Sequence, residues 1–149
     1  IHPERHSLEG KFLHCIGSVY LAQDKLEEAL VTHKKALKIY RKTIGPASPE
    51  VGRVLADIGD VLQLQGKYDK SMKKYDEALP IRRAALGAVH SHVADTMYGI
   101  SVVKFKSGDS AGALECLREA HRIYTACGTS SEISRDTAQL LATLAAEGN

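Results

Sequence analysis

A shift of 42 residues lays the chain onto itself. Ile16, Ile58 and Ile100 fall in register, as do Ala36, Ala78 and Ala120, and then Ile39, Ile81 and Ile123. Gly17 and Gly59 are matched by Ser101, Tyr40 returns as Tyr124, and Asp24 is matched by Gly66 and Gly108. A fixed period of this length is the signature of a stacked repeat array, in which each unit buries its apolar face only against its neighbours.

Within the period the apolar residues recur at three and four. Leu26, Ala29, Leu30, His33, Ala36, Leu37 and Tyr40 form one stripe, and Leu13, Ile16, Gly17 and Tyr20 form another. That spacing predicts amphipathic helices. Each unit therefore reads as helix A, a tight turn, helix B and a longer loop. The second unit has Leu55, Ile58, Gly59 and Leu62 on helix A, then Tyr75, Ala78, Leu79 and Ile81 on helix B. The third has Met97 and Ile100, then Ala113, Leu117, Ala120 and Ile123. Small residues at Gly17, Ala29 and Ala36 allow close helix approach. With one deletion near Gly128, a last A helix follows, its apolar face being Ala138, Leu141, Ala142 and Ala145.

The loops repeat too. Ile44 to Val51 aligns with Leu86 to Val93, so Gly45 and Gly87 are expected to be left-handed helix ends, and Ser48-Pro49 an N-cap followed by a first helical residue. Glu4 to Leu8 holds the same register, and with Ile rather than Met at position 1 it predicts a fragment preceded by a further repeat. Pro80 falls inside helix B of the second unit, where it removes one backbone bond. The expected architecture is an all-α solenoid of antiparallel helix pairs wound as a right-handed superhelix. It has one domain over 1–149, with repeats at about 8–42, 50–84 and 92–126 and a final helix at about 132–146.

Composition excludes several classes. With 44% apolar and 26% charged residues the chain is neither disordered nor collagenous. No stretch approaches the roughly 20 apolar residues of a spanning helix. Net charge is +2, so no whole-chain field demands nucleic acid or an acidic lipid surface. Cys15, Cys116 and Cys127 are odd in number and fit no disulfide or zinc spacing, which favours a reducing, cytoplasmic setting.

The chemical motifs give way to the repeat register. Gly108-Asp109-Ser110-Ala111-Gly112 matches a nucleophile elbow, but a helix rather than a strand should precede it. His14 and Cys15 are adjacent on a helix, about 100° apart, and make a poor nucleophile–base pair. His90 and His92 could offer two metal ligands, with no third at a telling distance. Gly59 to Gly66-Lys67 spaces its glycines too widely for a phosphate loop. No catalytic residue, metal or cofactor is expected.

These residues resemble the tetratricopeptide repeat, through Leu55, Ile58-Gly59, Leu62, Gly66-Lys67-Tyr68, Ser71, Tyr75 and Ala78 in the second unit and Leu13, Ile16-Gly17, Tyr20, Leu26, Ala29, His33 and Ala36 in the first. The period of 42 rather than 34, and Ile81 to Gly87 followed by His90-Ser91, resemble the kinesin-light-chain subclass. The third unit departs, with Lys104 and Ser110 where aromatics are usual. Cys15, Asp57 and Gly99 stand where kinesin light chains carry Asn. Of the carboxylate clamp that chaperone cofactors build on this fold, only Lys11 matches, while His14, Ser18 and Asp57 differ.

The resemblance implies a non-catalytic scaffold that binds a partner peptide in a concave groove lined by the A helices, with cargo or cytoskeletal adaptors as the model and cytoplasmic or cytoskeleton-associated placement. By register the groove residues are Lys11, His14, Cys15, Ser18 and Leu21; then Arg53, Asp57, Asp60 and Gln63; then Asp95, Tyr98, Val102 and Phe105. Lys11, His14 and Arg53 suit a carboxylate, the three aspartates a basic segment, and Tyr98 and Phe105 an apolar anchor. The alternative is a structural module that self-associates through its ends, or that meets an acidic partner on a basic convex face of Lys34, Lys35, Lys38, Arg41, Lys42, Lys70, Lys73, Lys74, Arg82 and Arg83. Interleaved acids temper that face, which disfavours nucleic acid as the partner.

Overall fold

The computed structural model describes residues 3–147. They form seven helices: α1 (Pro3–Ala22), α2 (Leu26–Thr43), α3 (Pro49–Leu64), α4 (Tyr68–Leu86), α5 (Ser91–Lys106), α6 (Ser110–Cys127) and α7 (Glu132–Glu147). Among the described residues there is no strand. The class is all-α, and neighbouring helices pack as pairs, α1 on α2 and α5 on α6.

The helix ends follow from local chemistry. Ser48 is extended, and its hydroxyl accepts from the Val51 amide while Pro49 opens α3. Asp109 caps α6 by accepting from the Gly112 amide, and the His90 ring accepts from the His92 amide at the start of α5. The short A–B turns need one left-handed residue each, and Asp24, Gly66 and Gly108 supply it with φ of +59°, +75° and +93°. Gly45 and Gly87 end their helices at +100° and +92°, and Gly128 does so at +65°, one residue early as the deletion requires. Removing the α3 cap with Ser48→Ala should cost about 1 kcal/mol in urea denaturation, since an orphan helix amide loses its acceptor.

The packing divides into two units, Ile1–Ile81 and Arg82–Asn149, with the division falling just past Pro80, around which α4 continues. The core of the first unit is the predicted stripe: Ala29, Leu30, Ala36, Leu37 and Tyr40 of α2 meet Val51, Val54, Leu55, Ile58, Val61 and Leu62 of α3, with Ala78 of α4. Leu13, Tyr20, Leu21 and Leu26 pack at its edge. In the second unit Val93, Met97, Ile100 and Val103 of α5 and Ala113, Leu117, Ala120, Ile123 and Tyr124 of α6 are buried.

The repeat explains the tightest contacts. A Cβ on Gly17 would lie 2.7 Å from the His33 ring, and one on Gly59 would lie 2.7 Å from the Tyr75 ring. Both rings pack so close to the glycine backbone that a Cβ there would collide with them. In the third unit the same pair is Ser101 and Leu117, a side chain restored where the ring is gone.

Two expectations are corrected. On α7 burial covers only the start of the predicted face: Ser134 and Thr137 are buried beside the half-buried Ala138 and Leu141, while Ala142 and Ala145 further along are exposed. Arg82 does not belong to a basic outer face. It is buried, and its guanidinium donates to the His92 carbonyl and to Thr96 Oγ1. Its position is the one that Tyr40 and Tyr124 hold in the other repeats, which is a core register.

Candidate functional site

The A helices of each unit carry the predicted residues, and each unit holds a depression on them. In the first unit Lys11, His14, Cys15 and Ser18 of α1 and Arg53 of α3 line one cavity of about 710 Å³, together with Ser7, Leu8, Tyr40 and Glu50. Lys11, Ser18 and Arg53 are exposed there. His14 is buried, which separates it from the freely presented cations with which it was grouped. Leu21, Asp57, Asp60 and Gln63 are half-buried and outside this cavity.

Within Arg82–Asn149, Tyr98, Val102 and Phe105 of α5 line a pocket of about 370 Å³ with Leu114 and Leu117 of α6 and Leu140 and Leu144 of α7. Its walls are almost wholly apolar. Phe105 is 64% exposed, and Leu140 and Leu144 are exposed beside it. The α7 leucines were not read from the sequence, because they fall off the alanine stripe that marked that helix. An exposed pair at positions i and i+4 was the available signal.

The three aspartates are each engaged by a side chain of another helix. Asp60 accepts from the Tyr75 hydroxyl at 2.5 Å, and Asp95 accepts from the Tyr124 hydroxyl. Asp57 Oδ2 lies 2.5 Å from His14 Nε2. Burial first, and then the bonded carboxylate, hold the Tyr75 and Tyr124 hydroxyls far above the ordinary phenol range, so both remain donors at any working pH. These aspartates fasten A helices to other helices, a role that competes with reading a basic peptide.

His33 lies beside the His14–Asp57 pair. Its ring is fully buried and tilted against His14, with 5.4 Å between centroids. Burial pushes its pKa down, Asp57 opposes that shift and His14 adds to it. Neither of its ring nitrogens has a hydrogen-bond partner among the described residues.

The remaining motifs fall into structural places. Ser110 opens α6 after the α5 turn, so the elbow-like sequence lacks the strand that would strain a nucleophile. The His90 and His92 rings lie tilted against one another at the α5 cap, with 4.8 Å between centroids. All three cysteines are free thiols. On the B helices Lys34, Lys35, Lys38, Arg41, Lys42, Lys70, Lys73 and Arg83 are exposed, Lys74 is half-buried, and Arg41 reaches Glu77 at 3.3 Å.

Paired helices repeating every 42 residues, closed by left-handed turns, define a helical-repeat protein of the solenoid class. Models of the tetratricopeptide repeat match residues 9–84 and 56–126, and the chain belongs to that family. Repeats of this family generally mediate protein–protein interaction, and proteins of this fold are typically non-catalytic scaffolds.

Among solved structures the chain is similar to a Podosopora anserina protein assigned as a kinesin light chain with nearly identical TPR-like repeats. The identity is 17% and the TM-score 0.77, over 95% of this chain and 66% of that one. It is also similar to BtubC (BKLC) of P. vanneervenii, at 16% identity and TM-score 0.73, over 99% of this chain and 66% of that one. The chain thus spans just under two thirds of the length of these neighbours. At these identities the likeness shows the fold. No curated protein sequence matches the chain. No helix among the described residues is long and apolar enough to cross a membrane.

Proposed function

We propose that the chain is a non-catalytic interaction module that binds a partner peptide on its A-helix faces, seating an apolar or aromatic side chain in the pocket of Tyr98, Val102 and Phe105. The observation that carries this reading is the pocket itself. Its walls are apolar, and Phe105, Leu140 and Leu144 stand open to solvent around it. Exposed aromatic and aliphatic side chains converging on one concavity are characteristic of recognition sites, where a buried anchor supplies most of the energy. Lys11 and Arg53 in the first unit's cavity add donors suited to a carboxylate. The kinesin-light-chain-like repeats favour a partner in cytoskeletal transport and a cytoplasmic setting.

Selection of random dodecapeptides displayed on phage tests the proposal. Enriched sequences should share at least one Leu, Phe, Trp or Met, and should lose binding to a Phe105→Ala chain. Enrichment of purely acidic peptides that bind Phe105→Ala equally well would overturn it. That result would move the contact to the exposed lysines of the B helices.

A further inference from the structure

We propose that His14, Asp57 and His33 form a binding site for one divalent transition cation of the Zn²⁺ type, held between α1, α3 and α2. One donor atom from each residue lies within 4.8 Å of the other two. On a tetrahedral Zn²⁺, with bonds of about 2.0–2.2 Å, ligand atoms stand ~3.4 Å apart. The His14–Asp57 separation of 2.5 Å has to widen by about an ångström, and the His33 donor, within 4.8 Å of both, has at most about 1.4 Å to close.

The second observation is His33 itself. It is fully buried, and neither ring nitrogen has a hydrogen-bond partner among the described residues. Buried polar atoms are almost always satisfied, and one left alone costs free energy that a ligand bond recovers. The repeat register sharpens this. At the same position the second unit uses Tyr75, whose hydroxyl is satisfied by Asp60, and the third uses Leu117, which needs no partner. Only the first unit places a ring with two nitrogens there and then leaves them unsatisfied.

The donor set selects the metal. Two imidazoles and one carboxylate suit Zn²⁺, and they suit Mg²⁺ or Ca²⁺ poorly, since those ions take oxygen ligands. The side chain of Asp57 is 26% exposed and gives the ion a route in. A bound ion would join α1, α2 and α3, so its effect is a clip on the fold. This inference does not depend on the peptide pocket, which lies wholly within Arg82–Asn149.

Calorimetric titration of the tag-free chain with Zn²⁺ tests it, paired with thermal unfolding. One Zn²⁺ per chain is expected, with a rise in Tm of about 5–10 °C at free metal 100 times Kd. His33→Tyr copies the second unit's own residue over the glycine at that register, so it should fold, and Asp57→Asn keeps the shape of the carboxylate. Each should weaken binding by at least about 100-fold, the upper end of what losing an outer-shell partner does. His90→Asn and Cys15→Ser should leave binding unchanged, and Mg²⁺ should not compete. No stoichiometric uptake, uptake that survives both His33→Tyr and Asp57→Asn, or uptake lost with His90→Asn would each overturn the proposal.

Discussion

Gly59→Ser should destabilise the chain by about 1–3 kcal/mol, and adding Tyr75→Leu should cost clearly less than the two single losses summed. The first half follows from space. A Cβ at position 59 would lie 2.7 Å from Tyr75 Cε1 and 2.8 Å from Cδ1, and the ring is fully buried and cannot retreat. Overpacking of this kind forces side chains off their rotamers, which outweighs the helix-propensity gain of under about 1 kcal/mol from replacing glycine. The second half follows from the third repeat, which already carries Ser101 opposite Leu117, with the Ser101 hydroxyl donating to the Tyr98 carbonyl. Tyr75→Leu alone should cost more than Gly59→Ser alone, because it opens a gap over bare backbone and takes a donor from Asp60. Urea denaturation of the four chains measures the coupling, expected at about 1–3 kcal/mol in favour of the double variant. Additive losses would mean that the ring and the glycine do not constrain one another.

That pair also shows what one strand of sequence makes legible. Period and stripe located helices, turns and core because each is a local pattern repeated three times, and repetition separates signal from accident. Asp24, Gly66 and Gly108 stood out as turn residues for that reason, and their positive φ values follow. Register alone could not tell which face of an A helix would be open. Asp60 and Asp95 sit where a groove residue should. Their phenol partners, Tyr75 and Tyr124, lie 15 and 29 positions along the chain on B helices, beyond any helical wheel. His33 was read as a member of the buried stripe, and it is buried. What escaped was its company, because His14 and Asp57 reach it from two other helices. Arg82 was legible and missed: grouped with Arg83 it looked like a charged run, yet it occupies the position of Tyr40 and Tyr124. α7 lacked an internal copy at full length, and its alanines marked a face without showing that burial stops at Leu141.

Phe105→Ala is expected to weaken binding of the selected peptides by about 1–4 kcal/mol, while leaving stability within roughly 0.5 kcal/mol of the parent. The two effects separate because Phe105 is 64% exposed: the fold gains little from it, whereas a ligand side chain entering the pocket would cover it. Tyr98 is a less clean probe. It is half-buried, and burial together with Asp136 raises its pKa, so Tyr98→Ala changes packing in the free chain as well. Leu140→Ala and Leu144→Ala test the opposite wall, which α7 supplies. If the pocket holds the anchor, each should cost binding and the losses should fall short of additive, since all three side chains touch the same ligand group. Arg53→Glu separates the charged component. Its effect should shrink as salt rises, because exposed charges are screened over about 8 Å at physiological ionic strength, while the Phe105 effect should persist. Fluorescence anisotropy with one labelled peptide at two salt concentrations reads both. Equal affinity for Phe105→Ala and the parent chain, with Arg53→Glu alone abolishing binding, would move recognition to the first unit's basic cavity and leave the apolar pocket without its proposed role.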